Sequence, residues 1–460
     1  MMRGKVGLAL LLLLGGCLGR EIRPVEVPPV PTPPAWRAET ADGEAIADDW
    51  WRAFGDARLT ALVERGLANN ADLAIAAGRI RQAEGNLRVA SASLVPTVGA
   101  SLTGGASRSV GGIGTPLDQT FLQPVAQLNY EVDLFGALAD QRSAARSAFL
   151  ASRAARDALR LAVARSVTSS YITLLALDVR LEVARATLQA RAESLRLAQS
   201  RVDHGYSPAV ELDQARGEYQ AAAQIVPQTE LAIARVENSL SQLVGDTPQA
   251  IQRGGRLDAL ATPQVPAGLP SELLRRRPDV AQAEYQLMAA DKSLTAARKR
   301  FLPRLALSGS AGAAISSALA DPITLWSLGG SILAPLFEGG RLAGMTEAAA
   351  GQRDQAAFAY RRAVLAAFGE VEDALVAVNR LDEQAARAAA QREALRAVLR
   401  RATTRYQEGY SPYLEQIDAQ RQLLGAELGL VQIRADALTA RVQLYAALGG
   451  GWSVEKLERR

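Results

Sequence analysis

Gly205-Tyr206-Ser207-Pro208 recurs letter for letter as Gly409-Tyr410-Ser411-Pro412, 204 residues further on. A glycine with a proline three residues later marks a tight turn between two helices, because glycine takes left-handed backbone angles and proline opens a new helix more readily than it continues one. Four further landmarks repeat in the same order. Leu94-Val95-Pro96 is answered by Phe301-Leu302-Pro303, Leu134-Phe135 by Leu336-Phe337, and Val244-Gly245 by Leu448-Gly449. Asn70-Ala71-Asp72-Leu73 is answered by Arg277-Pro278-Asp279-Val280. One shared tetrapeptide is weak, but five landmarks in the same order at spacings of 202 to 207 residues mean an internal duplication. The copies are expected at residues 50–250 and 271–450, with a linker at 251–270 and a tail at 451–460.

Outward from each turn the pattern is helical. Val167, Leu174, Leu181, Leu188, Leu195 and Val202 hold one seven-residue phase, so a helix over about 137–202 needs a partner helix along its length. At 1.5 Å per residue such a helix extends roughly 100 Å. A return helix runs toward Leu243, with Pro227 expected to kink or interrupt it. The second copy repeats the hairpin over about 341–406 and 413–448.

Before each hairpin the period changes from seven to two. Pro96 and Pro303 end helical runs, and Gly136 and Gly339-Gly340 precede the next helices. Leu128, Tyr130, Val132 and Leu134 alternate with Gln127, Asn129, Glu131 and Asp133, the mark of a strand with unlike faces. The counterpart, Leu328 to Leu336, keeps one apolar face through Ile332, Ala334 and Leu336, but Leu333 and Pro335 weaken the other. Gly- and Ser-rich stretches over 104–119 and 312–322 are expected to be loops. Each copy thus reads as helix, strand pair, long helix, helix.

Four strands cannot close a barrel, and no stretch after the amino terminus is apolar enough for a helical span. Since membrane spans must be helices or closed barrels, this chain can span only if copies pool their strands. Three copies give twelve, a comfortable barrel with a polar lumen.

At the amino terminus Arg3 and Lys5 precede an apolar run from Val6 to Leu14, about half a bilayer-spanning helix, which reads as a signal peptide over 1–16. Leu14-Gly15-Gly16-Cys17 resembles the bacterial lipobox, making Cys17 the candidate lipid anchor. Leu18 after it, rather than Asp, favours the outer membrane by analogy with lipoprotein sorting. The Pro-rich 17–49 segment is expected to be an extended tether.

Composition excludes most chemistry. One Cys and one His, Cys17 and His204, rule out clustered His/Cys metal sites and disulfide frameworks, and leave no nucleophile and base in a common local motif. The 52 basic and 48 acidic residues interleave, so no nucleic-acid partner is implied. No phosphate-cradling loop followed by Lys and Ser/Thr occurs, so any energy coupling belongs to another protein.

Gly268-Leu269-Pro270-Ser271-Glu272-Leu273-Leu274-Arg275-Arg276-Arg277-Pro278-Asp279-Val280 carries a family resemblance, supported by Trp50-Trp51 with Phe54, Asp133-Leu134-Phe135-Gly136, Pro335-Leu336-Phe337-Glu338-Gly339-Gly340 and the lipobox. The chain is similar to bacterial outer membrane factors, the TolC-like channels of the NodT branch. The resemblance covers the whole mature chain. It implies a fold mainly of α-helix with membrane β: an internally duplicated homotrimer whose twelve-stranded barrel continues as a long helical barrel. It also implies a passive, gated exit duct of a tripartite efflux or secretion system. The partners would be a periplasmic adaptor, an inner-membrane transporter of the RND type and outer-membrane lipid. Apart from lipid on Cys17 no cofactor is implied. The alternative is a non-channel coiled-coil adaptor or scaffold lipoprotein, although adaptors normally carry a single hairpin.

The resemblance assigns adaptor contact to the hairpin tips at Gly205, Ser207, Pro208, Gly409, Ser411 and Pro412. Both tips also need these residues merely to turn. His204 beside the first tip is either a solvated histidine or a pH sensor. In related channels Tyr, Asp and Arg at the positions of Tyr406, Asp418 and Arg421 hold the resting aperture closed. Three Asp418 carboxylates around a three-fold axis would favour cations. Otherwise Asp418 and Arg421 would be an i,i+3 pair on a solvated face. Gln214 and Gly217 occupy these positions in the first copy, so the charge pair is not duplicated.

Overall fold

The computed structural model describes residues 25–38, 46–110, 112–114 and 116–458. Cys17, the signal peptide and part of the expected tether lie outside the described residues. In order the elements are α1 (Ala57–Asn69), α2 (Ala71–Ala92), β1 (Thr97–Val110), β2 (Pro116–Val132), α3 (Ala137–Asp203) and α4 (Ala209–Leu243). There follow α5 (Pro270–Arg276), α6 (Pro278–Lys299), β3 (Arg304–Ser316), β4 (Ile323–Leu333), α7 (Arg341–Gln407), α8 (Tyr413–Ala447) and α9 (Val454–Glu458). Both α3 and α7 have 67 residues, and both α4 and α8 have 35. The 204-residue offset therefore holds to the residue across both hairpins. Among the described residues no helix is long and apolar enough to cross a membrane.

Contacts divide the chain into two units. The first comprises 1–29, 78–153 and 282–362 and holds an antiparallel sheet in the order β1-β2-β3-β4. The central pairing joins the copies, with Tyr130 opposite Leu307 and Val132 opposite Leu305. Every residue of β1 and β4 is exposed, so the sheet has apolar side chains but no core of its own. The stretches 104–119 and 312–322 are largely strand, not loop: among their described residues only 112–114 and 317–322 lie outside the strands. Small and hydroxyl residues resemble loop composition, yet Gly104 and Gly312 pair across the sheet with Leu122 and Leu325, and a side chain on Gly312 would strike Pro124.

The strand ends also differ from expectation. β2 stops at Val132, because Asp133 leaves the sheet to accept the Leu138 and Ala139 amides at 3.1 and 2.8 Å and so opens α3. Leu134 lies in that turn, whose Gly136 has φ 73°. Likewise β4 ends at Leu333, leaving Ala334 and Leu336 outside it, since Pro335 cannot donate to a ladder. Two of the four lysines converge on the first turn of α3: Lys299 and Lys292 lie 2.5 and 3.3 Å from Asp140. Burial pushes the Asp140 carboxyl up and the two ammonium groups pull it down further, leaving it below its usual range.

The Pro-rich segment is extended without being free. The Val25 amide donates to Asp354 at 3.0 Å, and Arg353 and Arg361 on α7 donate to the Val25 and Pro29 carbonyls at 3.1 and 3.3 Å. Polyproline backbone has no internal partners for its carbonyls, so guanidinium groups on a neighbouring helix can hold them.

The second unit comprises 30–77, 154–281 and 363–460. Its aromatic core stacks Trp50 on Tyr445 at 5.2 Å beside the fully buried Phe54. Asp56 caps α1 through the Arg58 and Leu59 amides and accepts the Tyr171 hydroxyl at 3.0 Å. Burial pushes that phenol up to about 12.

Both return helices end alike. Gly245 and Gly449 follow them with φ 79° and 90°, and the next amides bond back to Ser241 and Tyr445 in a Schellman closure. Asn70 donates to the Leu243 carbonyl at 3.0 Å, and its counterpart Arg277 donates to the Ala447 carbonyl at 3.1 Å. Arg277, 6% exposed, also pairs with Asp279 and Glu370, both at 2.7 Å. The Arg-Pro-Asp signature thus serves as a staple between helix ends.

Pro227 does not interrupt the return helix: α4 is continuous through it. The proline is exposed, so water can reach the carbonyl it leaves unpaired, while Ala222 and Thr229 stay buried on either side.

Candidate functional site at the helix tips

The heptad of α3 is buried or half-buried throughout, with Val167 and Leu174 fully so. It carries the chain to Asp203, where Gly205 with φ 74° lets the Gly205 and Tyr206 amides bond back to Val202 at 3.0 Å and Arg201 at 2.8 Å. Pro208 is extended and opens α4. The second tip repeats this: Gly409 has φ 82°, its amide and that of Tyr410 return to Tyr406 and Arg405 at 3.1 and 2.8 Å, and Pro412 opens α8. Gly205, Ser207, Pro208, Gly409, Ser411 and Pro412 all stand in these two turns, with Tyr206 and Tyr410 projecting into solvent. His204 Nδ1 lies 2.7 Å from the Ser200 carbonyl, and its ring stacks on Tyr206.

Above the turns the residues expected as a gate separate. Tyr406 is buried, 5.1 Å from the Tyr413 ring, with the Arg201 guanidinium 4.4 Å from its centroid. Its hydroxyl donates to Glu211 at 3.3 Å, and burial pushes its pKa up. Arg421 does not pair with Asp418. It reaches the first copy and donates to Glu218 on α4, a bond that raises the pKa of the guanidinium. Glu218 also holds Arg191 of α3 at 3.2 Å, and Arg191 donates to Gln420. Asp418 instead accepts from Gln422, one turn further on, at 2.6 Å. Thus Tyr406 and Arg421 join a network across the duplication, and Asp418 stands on an exposed face.

Arg191 and Glu218 are not evident as a motif, because they lie on different helices and share no local pattern. One signal exists: Arg191 falls between Leu188 and Leu195 at the second apolar position of the heptad, where a charge requires a partner. Only 2% exposed, it has its pKa lowered by burial and is partly restored by Glu218. The network orders helices by ion pairs and presents no nucleophile. Among the described residues no cluster of His, Cys, Asp or Glu could hold a metal.

Known proteins share this architecture. The sequence matches the model of the outer membrane efflux protein family over residues 62–246 and 269–450, one span in each copy. It is 34% identical to the pyoverdine export outer membrane protein OpmQ of Pseudomonas aeruginosa, covering 97% of this chain and 96% of the relative. To the cation efflux system protein CusC of Escherichia coli it is 29% identical, covering 88% of each. Among solved structures, the outer membrane channel MtrE of Neisseria gonorrhoeae superposes with a TM-score of 0.80 at 28% identity, covering 94% of this chain and 98% of that one. The channel OprN gives 0.81 at 27% identity, covering 92% and 99%. The fold class is the one expected from the sequence: mainly α with membrane β, internally duplicated, of the kind that closes as a trimeric β-barrel continued by a helical barrel. With two hairpins of equal length, a four-stranded antiparallel sheet and a match along nearly its whole length, the chain belongs to the outer membrane efflux protein family of TolC-like channels.

Proposed function

We propose that this chain is the outer-membrane exit duct of a tripartite efflux system, a passive gated homotrimer that receives small molecules from a periplasmic adaptor and an inner-membrane transporter of the RND type. The observation that carries this reading is the sheet: four strands with β1 and β4 bare throughout, joined to two hairpins of equal length. Such a sheet is stable only when copies close it into a barrel. The duct carries out no chemistry and needs no cofactor beyond lipid on Cys17, which holds it at the membrane. The turns at Gly205–Pro208 and Gly409–Pro412 meet the adaptor, and Tyr406, Asp418 and Arg421 narrow the resting aperture.

Purified protein is expected to migrate as a heat-sensitive trimer and to give discrete conductance steps in planar bilayers. Asp418→Ala with Arg421→Ala is expected to raise the single-channel conductance. A monomer without pores would overturn the duct, and unchanged conductance in the double variant would remove the gate assignment.

A further inference from the structure

The sheet sorts its side chains by chemistry, and one cluster departs from the sorting. Successive residues of a strand point to opposite faces, so the pairing register assigns each strand position to one of two faces. Val98, Leu128, Leu307 and Trp326 lie on one face, and Gln127, Asn129, Ser310 and Ser327 on the other. Among the described residues the only ionisable side chains on this second face are Glu131 and Arg304, both in the last rows before the helices. In a membrane barrel the apolar face meets lipid and the polar face lines the lumen. The strand ends that join α2, α3, α6 and α7 are the inner end of that lumen, and the turns at 112–114 and 317–322 are its outer end.

Near the outer end the polar face turns apolar. Phe121 and Val125 of β2 and Ile323 and Leu325 of β4 all lie on it. Glycine backs the cluster in both copies. Gly105 stands opposite Phe121, and Gly312 stands between Val125 and Leu325, at the same 207-residue spacing that separates Pro96 from Pro303. A Cβ on Gly105 would come 3.2 Å from the Phe121 ring, and one on Gly312 would come 3.1 Å from Val125 Cγ2. These apolar groups therefore lean over strand backbone, where a side chain would displace them. Phe121 and Leu325 are each 40% exposed, so nothing within the sheet covers them. A single exposed apolar residue is ordinary, but a contiguous patch on a wall of hydroxyl and amide groups marks a binding surface.

We infer that Phe121, Val125, Ile323 and Leu325 form an apolar collar on the lumen wall at the outer mouth, where uncharged aromatic small molecules rest before they leave. The ligand class follows from what the wall offers. Its apolar area gains by being covered with apolar surface, and it holds no ionised group to pair with a charge. The Phe121 ring adds a face for stacking. Further in, the rows that pair Gln127 with Ser310 and Asn129 with Ser308 offer only hydroxyl and amide groups. A solute thus crosses from a hydrogen-bonding wall to an apolar one at the exit, and ions pass the collar without being held.

This site rests on the trimeric duct, so the test separates the two. Single cysteines are introduced as Ser327→Cys beside the collar, Ser308→Cys further in on the same face, and Leu328→Cys on the apolar face; the wild type gives the background from Cys17. The protein in lipid vesicles is treated with benzyl methanethiosulfonate, which is uncharged and aromatic, or with its charged trimethylammonium-ethyl counterpart, and timed samples are read by mass spectrometry. The charged reagent is expected to modify the 308 and 327 thiols and to spare the one at 328. The ratio of benzyl to charged rates is expected to be about fivefold higher at 327 than at 308. Adding Phe121→Ser with Leu325→Ser is expected to bring the 327 ratio down to the 308 value, and Phe121→Met with Leu325→Met to preserve it. Equal ratios at 308 and 327 overturn the collar while the duct stands, as does a raised ratio that survives both serines. If the serine pair fails to assemble, the comparison of 308 with 327, made with the collar intact, decides alone. Charged reagent at 328 in place of 327 overturns the assignment of faces. A wild type that is monomeric and gives no conductance overturns the duct and the collar with it.

Discussion

Arg191 depends on one carboxylate. Its side chain is 3% exposed, and among the described residues Glu218 is the only acidic group bonded to it. Glu218→Gln would leave that charge buried without a counter-charge and is expected to cost about 3 kcal/mol in chemical denaturation. Arg421→Ala removes a partner whose side chain is 62% exposed and is expected to cost less than about 1 kcal/mol. Equal losses would show that Arg191 finds another counter-charge. Asp140 gives a pH signature. Because the folded carboxyl sits below its usual range, its contribution is complete above the ordinary carboxylate pKa of about 4 and is lost as pH falls through the depressed value. Asp140→Asn should lower the melting temperature at neutral pH and flatten its decline in acid. An unchanged acid slope would mean that Lys292 and Lys299 bind it without shifting it.

At the scale of elements, glycine positions separate turning from packing. Gly205 and Gly449 share left-handed angles, but the space around Gly205 is open, whereas a methyl group on Gly449 would come within 1.8 Å of the Arg276 carbonyl oxygen. Gly205→Ala is expected to cost about 1 kcal/mol, and Gly449→Ala about 3 kcal/mol or more because the α8 end must part from Arg277. Equilibrium denaturation of both variants checks this. Comparable costs would mean that the helix end yields freely. The long helices were legible because heptads and Gly–Pro turns are local signals. The strand tips over 104–110 and 312–316 were not, because barrel strands of glycine and serine carry no core pattern of their own. The Arg191–Glu218–Arg421 network was hidden for a different reason: its members meet only after two hairpins pack, and the sole local trace is a charge in an apolar phase.

For the molecule as a whole, the Pro-rich segment from Val25 shows how an extended stretch is held to a helix of the fold. A Pro-rich stretch reads as a free spacer because its sequence cannot build a core. Here its backbone is read by α7: Asp354 takes the Val25 amide, and Arg353 and Arg361 take carbonyls along 25–29. These bonds hold a segment with no secondary structure of its own, so its local stability should be set by the two arginines. Arg353→Ala with Arg361→Ala is expected to leave the helical signal unchanged and to raise thermolysin cleavage near Val25 and Val27 about tenfold, the effect of losing about 1.4 kcal/mol of local protection. Cleavage at the wild-type rate would show that packing of the prolines, rather than the guanidinium groups, holds the strap. Cleavage spreading into the hairpins would show that the strap supports α7 as well as being supported by it.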